Sequence, residues 1–159
     1  QLGYNNALLP ESLLLGGQFL QNQEYIDLGL SSLKFLIDQT FQVNMYVPIG
    51  HSNWYKHNEE RSLFDQQPED PSSTILALAT AYKQTEDISY RNLAHKCFSW
   101  FLGNNSLQQP LYNYQTGGCH DGLHPDRVNS NQGAESLISY LLARLTITEI
   151  DNYENPTKT

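Results

Sequence analysis

Two stretches of the chain carry the same pattern of apolar residues, and this repetition constrains the fold more than any other feature. Residues 25–36 align with residues 90–101, and the alignment pairs Leu33 with Phe98. Within each stretch the apolar residues recur at the spacing that forms one buried face of an α-helix. A repeated helical pattern predicts a chain built from stacked helical units.

The segments before these two stretches repeat as well. Residues 13–19 align with residues 76–82, and Glu11-Ser-Leu-Leu is echoed by Glu135-Ser-Leu-Ile. Each unit therefore consists of a long loop, a first helix, a tight turn and a second helix. The chain holds about two and a half units of roughly 60 residues, and the last unit lacks its second helix.

The pattern predicts one all-α domain over residues 1–150 and a frayed polar tail over residues 151–159. We expect Asp70 to cap the third helix, with Pro71 next to it, and Asn129 or Asn131 to cap the fifth. Connections as long as the two predicted loops are usually functional in a compact domain. The predicted helices cover residues 6–21, 24–39, 70–84, 89–102 and 132–147, and the predicted long loops cover residues 40–70 and 106–130.

The length of the unit favours one helical architecture over others. Tetratricopeptide, ankyrin and armadillo units are shorter, at roughly 33 to 47 residues. A longer helical hairpin, with its long loop always before the first helix, fits a partial α/α toroid whose loops surround a central pocket. A complete ring of six hairpins needs about twice this length. We therefore expect either a fragment of such a ring or assembly with a second copy of the chain.

Charge and composition exclude several classes of function. The formal net charge is -8, with 9 Lys and Arg against 17 Asp and Glu, and no basic cluster exists. Neither nucleic acid nor an anionic membrane is therefore an expected partner.

Cys97 and Cys119 form no Cys-x-x-Cys pair, so we interpret them as free thiols of a cytoplasmic protein, with a single disulfide as the alternative.

Five segments of the chain form a recognisable set. They are Phe-Asp-Gln-Gln-Pro-Glu-Asp-Pro-Ser at 64–72, Trp-Phe-Leu-Gly-Asn-Asn at 100–105, Pro-Leu-Tyr-Asn at 110–113, Thr-Gly-Gly-Cys-His-Asp-Gly-Leu at 116–123 and Asn-Ser-Asn-Gln-Gly-Ala-Glu-Ser at 129–136. Together they resemble one known family, the all-helical, six-hairpin-glycosidase-like region that follows the catalytic part of certain bacterial family-4-type glycosyltransferases. The resemblance covers most of the chain, is stronger in the second half, and implies a toroid fold and a carbohydrate ligand.

Two carboxylates are the candidate catalytic residues. Glycoside hydrolysis requires one carboxyl group as acid and a second as base or nucleophile, and Asp121 and Glu135 lie where the loops converge. Gly133, just before Glu135, permits close approach of a ligand or another backbone. The alternatives are structural: Glu135 stabilises the amino end of its helix, and Asp121 stabilises a turn through its own backbone.

Other polar and aromatic residues of the loops are candidate sugar-binding groups. Amides and carboxylates bond sugar hydroxyls, and aromatic rings stack on sugar rings. Alternatively, the polar residues belong to solvated loops and the aromatic residues anchor those loops to the core. The candidates are Asp65, Gln67, His120, Asn131, Gln132, Trp54 and Tyr112.

A metal site or a nucleotide site has little support in the sequence. Cys119, His120 and His124 could form a zinc site with His51 or His57, but paired ligand spacing is absent. No phosphate loop, dinucleotide fingerprint or Gly-x-Ser-x-Gly motif occurs, so no cofactor is expected.

The sequence thus predicts a carbohydrate-processing or carbohydrate-binding module. A helical-repeat scaffold that binds protein is the alternative.

Overall fold

The prediction of an all-α chain is confirmed by a computed structural model, which describes residues 1–153. Within these residues the regular structure is helical, and short isolated β-bridges connect the loops. None of the helices in this part of the chain has the length and apolar character needed to cross a membrane. The helices are α1 (Leu8–Leu20), α2 (Gln23–Thr40), α3 (Glu69–Thr85), α4 (Ile88–Phe98) and α5 (Ala134–Tyr153).

Four of the helices form two hairpins with very short turns. Gln21 ends α1 in a left-handed conformation, and the Asn22 side chain accepts hydrogen bonds from the first backbone N–H groups of α2. Between α3 and α4, Glu86 is left-handed and Asp87 caps α4 by accepting from the Ser89 backbone N–H at 2.9 Å. Each turn therefore closes one helix and starts the next within two residues.

The helices pack in two layers, with α3 at the centre. Helix α3 contacts both α1 and α5, whereas α1 and α5 do not contact each other among the described residues. Helix α2 packs mainly against α1 and also contacts α3, and α4 packs against α3 and α5. Small buried residues on α3, such as Ala77 and Ala81, allow its neighbours to approach closely. The open space between α1 and α5 is consequently a groove with α3 as its floor.

Large side chains from the loop after α4 complete the core. Trp100 and Phe101 are fully buried and lie edge to face, with ring centroids 5.2 Å apart. Phe101 and Tyr140 of α5 are similarly in contact, at 5.5 Å. The Trp100 indole N–H donates to the buried Gln66 Oε1 at 2.8 Å. The core therefore fixes the loop before α3 as well as the helices.

Helix ends differ from the predictions mainly at the end of α4 and of α5. Helix α4 ends at Phe98 and not near 102, because the next residues form tighter turns that lead to Gly103 at φ +107°. Helix α5 continues to Tyr153 and not to 147, and Asp151 pairs with Arg91 and His95 at 2.9 Å. The first part of the predicted frayed tail is thus helical, and residues 154–159 lie outside the described residues.

The predicted caps of α3 and α5 are wrong. Pro68 precedes α3, and Asp70 lies inside its first turn. The Asp70 carboxylate instead accepts from the Asn5 backbone N–H at 2.8 Å and bonds His51 Nε2 at 3.0 Å. Neither Asn129 nor Asn131 caps α5. That role belongs to a carboxylate from farther back in the chain, as described below.

Candidate functional site

The two long loops meet in front of α3 and α5. Gln66 and Leu123 exchange two backbone hydrogen bonds, of 3.0 and 2.9 Å, in an antiparallel bridge. Gly122 sits beside this bridge at φ +152°, and a Cβ atom there would lie 2.2 Å from the Gln66 carbonyl oxygen. Only glycine fits at this position, and the bridge fixes the two loops relative to each other.

Asp121 caps α5 from the second loop. Its Oδ1 accepts from the Gly133 backbone N–H and from the Ser136 hydroxyl, both at 2.6 Å, and its Oδ2 accepts from the Asn131 side-chain amide. Desolvation raises the pKa of Asp121, but these hydrogen bonds outweigh it and lower the pKa overall. Asp121 is therefore a stable carboxylate that stabilises the amino end of α5.

Gly133 is the residue that makes this cap possible. A Cβ atom on it would lie 2.9 Å from Asp121 Oδ1. The sequence predicted that Gly133 permits a close approach, and the group that approaches is the Asp121 side chain. The sequence offered a second role for Asp121, the stabilisation of a turn through its own backbone. In the structure Asp121 instead bonds Gly133 and Ser136 at the start of α5.

Glu135 and Glu69 occupy the first turns of α5 and α3, and both line the same cavities. Glu135 is exposed, whereas Glu69 is partly buried and its Oε2 is inaccessible to solvent and has no hydrogen-bond partner. Burial raises the pKa of Glu69, and the nearby charge of Glu135 raises it further. The site thus pairs a partly buried carboxyl group with a raised pKa and a carboxyl group exposed to solvent.

The polar cavity, as we call the space in front of the two helices, has a volume of about 340 Å³. Three carboxyl groups line it, together with amide groups from both loops and the Ser136 hydroxyl group of α5. Such a lining bonds hydroxyl-rich molecules and provides both a proton donor and a proton acceptor. Its principal polar residues are Gln67, Glu69, Asp121, Asn129, Glu135 and Ser136.

The apolar groove, as we call the channel between α1 and α5, has a volume of about 430 Å³. Its floor is α3, and Glu69 and Glu135 lie at one end. The two cavities therefore share these carboxyl groups and differ in the chemistry of their walls. The apolar side chains of the groove are Leu8, Leu76, Ile138 and Leu142.

Asp65 lies beside the polar cavity, bonded to a histidine. Its Oδ1 is 2.7 Å from His124 Nδ1, which ties the first loop to the second. Both residues line a small space of about 80 Å³ that also contains Gln67 and Asp121. The structure thus brings Asp65, Gln67, Asp121 and Glu135 into adjoining cavities.

His120, Asn131 and Gln132 support the second loop around Asp121. Gln132 Oε1 accepts from the Thr116 hydroxyl at 2.8 Å, and its Nε2 lies 3.4 Å from His120 Nε2. His120 Nδ1 is buried without a hydrogen-bond partner. Asn131 bonds the Asp121 carboxylate. These residues surround the cap of α5, and none of the three lines the polar cavity.

The two aromatic candidates lie away from the carboxyl groups. Tyr112 stacks on Tyr140 of α5, with ring centroids 4.1 Å apart, so it anchors its loop to the core. Trp54 lines a separate cavity of about 260 Å³ together with His51 and Lys56. Neither ring lines the polar cavity or the apolar groove.

Glu69 and the His51–Asp70 pair are the features that the sequence interpretation missed. Glu69 follows Gln67-Pro68 directly and lies in the first turn of its helix, as Glu135 does. This shared position could have identified Glu69 as a candidate site residue. For the buried contact of Asp70 with His51, 19 residues earlier, no local pattern gives a signal. Long-range pairs of this kind arise only from tertiary structure.

No group of three or more His, Cys, Asp and Glu residues in the described part of the chain is arranged to hold a metal ion. Cys97 and Cys119 are both free and buried. No family model matches the chain, and no curated protein matches its sequence.

Proposed function

We propose that the chain is a carbohydrate-processing module in which Glu69 and Glu135 are the catalytic residues. The observation that carries the proposal is that both carboxyl groups line the polar cavity while their environments differ. Burial raises the pKa of Glu69, which suits a proton donor, and Glu135 is exposed, which suits a base. Glycoside hydrolysis uses a pair of carboxyl groups in these two roles.

In the proposed reaction, Glu69 gives its proton to the glycosidic oxygen as the bond from that oxygen to the anomeric carbon breaks. A water molecule attacks the anomeric carbon, and Glu135 accepts a proton from that water. Asp121 positions Glu135 by fixing the start of α5. Gln67 and Asn129 bond the sugar hydroxyl groups. This proposal replaces Asp121 by Glu69 in the catalytic pair, because Asp121 already accepts three hydrogen bonds and has a lowered pKa.

The toroid and its glycosyltransferase context belong to the same proposal. The parallel placement of α1, α3 and α5 around one groove is compatible with three inner helices of a larger ring. The remainder of that ring, or a second copy of the chain, is the proposed partner. The resemblance noted in the sequence supports this assignment and also supports a carbohydrate ligand.

The experiment that tests the function is a glycoside hydrolysis assay on a panel of aryl glycosides. Glu69→Gln and Glu135→Gln should each lower turnover by about 10²- to 10⁴-fold. Glu60→Gln is the matched control, because Glu60 is exposed and lies outside both cavities. Undiminished turnover in either cavity variant contradicts the assignment of that residue. Absence of turnover on every glycoside contradicts catalysis by this chain alone.

A protein-binding scaffold is the second candidate function. Leu141 and Leu145 of α5 are 45% and 66% exposed, and Phe19 of α1 is 87% exposed. Large exposed apolar side chains on helices are typical of surfaces that bind another protein. Light scattering of the purified chain over a range of concentrations tests self-association. Tight association together with no thermal shift by any glycoside would favour the scaffold.

A further inference from the structure

The polar cavity and the apolar groove meet at Glu69 and Glu135, and their walls suit different parts of one molecule. On one side of the two carboxyl groups are amide, carboxyl and hydroxyl groups, including Gln67 and Asn129. On the other side are leucine and isoleucine side chains, together with Asn5 and three serines. A molecule that crossed both spaces would place its polar and apolar parts on opposite sides of the two carboxyl groups.

The groove is open to solvent although much of its lining surface is apolar; Asn5, Ser72, Ser73 and Ser139 also line it. Leu8 of α1 is 42% exposed, and Ile138 and Leu142 of α5 are 56% and 46% exposed. These side chains face each other across α3, since all three line the same channel. Covering such surface with an apolar group is favourable by about 25 cal/mol per Å². The groove therefore provides binding free energy that a sugar alone cannot use.

Resting on the function proposed above, we infer that the substrates are glycosides with an apolar aglycone, alkyl or aryl. The sugar occupies the polar cavity, the aglycone lies in the groove along Leu142 and Ile138, and the glycosidic oxygen lies between Glu69 and Glu135. Cleavage transfers the Glu69 proton to the aglycone oxygen and releases an apolar alcohol into the groove. Water supplies the hydroxyl group that the sugar gains.

The occupant of the groove follows from its position. The groove ends at the same two carboxyl groups that line the polar cavity, so an aglycone reaches it directly from a bound sugar. Glu69 and Glu135 each line both spaces, so they mark the point where the polar cavity and the groove meet. A protein helix in the groove would leave the polar cavity unexplained.

The test compares methyl and octyl glycosides of the same sugars, for glucose, galactose and mannose, below the micelle concentration of each octyl compound. Dissociation constants are measured by NMR titration. For at least one sugar, the octyl glycoside should bind at least about tenfold more tightly than the methyl glycoside, because the added methylene groups are partly buried in the groove.

Two variants show where the alkyl chain lies. Leu142→Gln should reduce the octyl advantage to about twofold or less. Leu141→Gln should retain it, because Leu141 is equally exposed, at 45%, and lies outside the groove. Ile138→Gln provides a second groove variant, and unchanged thermal unfolding confirms that each variant is folded. An advantage that survives both groove variants overturns the inference.

The remaining outcomes separate this inference from the proposed function. Equal affinity for methyl and octyl glycosides overturns the apolar aglycone and leaves hydrolysis to the turnover assay. Binding of 1-octanol as tight as that of the octyl glycosides, without binding of methyl glycosides, shows an apolar docking surface and overturns both. No binding of any of these compounds overturns the inference, and the aryl glycoside assay then decides the function by itself.

Discussion

Asp121 Oδ1 lies 2.6 Å from the backbone nitrogen of Gly133, so a carboxylate 12 residues away caps α5. Replacement of Asp121 by Asn should lower the free energy of unfolding by about 1–3 kcal/mol, because charge-assisted hydrogen bonds to the helix start are lost. Urea denaturation at pH 7 measures this change. Asp126→Asn, at an exposed residue of the same loop, should have almost no effect.

The stabilisation of the folded protein by this Asp121 cap should depend on pH. The folded-state pKa of Asp121 is lowered, so its contribution to stability is present above the unfolded pKa of about 3.9. That contribution disappears as the pH falls through the lowered value. The difference in stability between wild type and Asp121→Asn should therefore shrink below about pH 4. A difference that stays constant between pH 7 and pH 2 would show that charge contributes nothing to the cap.

The ionised Glu69 side chain should lower the free energy of unfolding at neutral pH. Burial and the charge of Glu135 raise its folded-state pKa, so its ionised form is less favourable in the folded protein than in the unfolded chain. Glu69→Gln should therefore stabilise the protein by about 0.5–2 kcal/mol at pH 7. The gain should decline as the pH falls through the raised pKa and the wild-type carboxyl group becomes protonated. Glu59→Gln, at an exposed position, serves as the control, and a loss of stability in Glu69→Gln would contradict the prediction.

His51 and Asp70 should make stability fall as the pH rises above neutrality. The hydrogen bond to Asp70 raises the pKa of His51 despite the opposing effect of burial. The stabilisation by protonated His51 is thus fully present below its unfolded pKa of about 6.5, and it is lost as the pH rises through the raised folded value. Desolvation raises the pKa of Asp70, whereas the hydrogen bond to His51 and the charge of His51 lower it, so His51 offsets part of the cost of burying the Asp70 charge.

The measurement is the melting temperature between pH 5.5 and 8.5. His51→Gln should destabilise the protein by about 1–3 kcal/mol at pH 6, because a buried carboxylate loses its charged partner, and by less at pH 8.5. His57→Gln, at an exposed histidine of the same loop, should follow the wild-type curve. Parallel curves for wild type and His51→Gln would mean that the pair does not titrate in this range.

Trp100 should be the more sensitive of the two tryptophans. Trp100→Phe removes the donor to Gln66 Oε1 and leaves space in the core, so it should cost about 2–4 kcal/mol. Trp54→Phe, at a ring that is 44% exposed, should change stability by less than about 0.5 kcal/mol. Chemical denaturation followed by circular dichroism compares the two variants, and equal effects would contradict the burial of Trp100.

Both cysteines should be unreactive in the folded protein. Burial raises the pKa of Cys119 to about 12, and Cys97 is fully buried with its pKa also raised. At pH 8 only about 10⁻⁴ of the Cys119 thiol is ionised. An aromatic disulfide reagent should therefore label neither thiol within minutes under native conditions and both in urea. Rapid labelling of either cysteine in the native protein would be incompatible with this burial.

The helices were predictable from the sequence because their information is local. Apolar residues such as Leu33 and Leu78 recur at helical spacing and are buried, and the turns use residues that start and end helices. The end of α4 was missed because Trp100 and Phe101 continue the apolar pattern although the backbone has already left the helix. The apolar periodicity indicates which residues are buried, but it does not indicate the residue at which a helix ends and turns begin.

The site was predictable only in part because its contacts cross between loops. Asp121 and Glu135 were recognised as neighbours of one pocket, and they do line the same cavity. The role of Asp121 as a cap depends on a bond to another element, and sequence rules search for caps among adjacent residues. Trp54 and Tyr112 were grouped by residue type alone, and loop conformation places them away from the carboxyl groups.

Because α1 and α5 touch only through α3, the contacts of α1 and α2 with α3 join the first hairpin to the other helices of the described chain. Few side-chain hydrogen bonds cross between α1 and α3, among them Gln84 Nε2 to the Leu14 carbonyl oxygen at 2.8 Å. Amide hydrogen exchange should therefore resolve two cooperative units, with α1 and α2 opening at a lower free energy than α3 to α5. A molecule bridging Leu8 and Leu142 would join the two units and slow exchange in both hairpins at once.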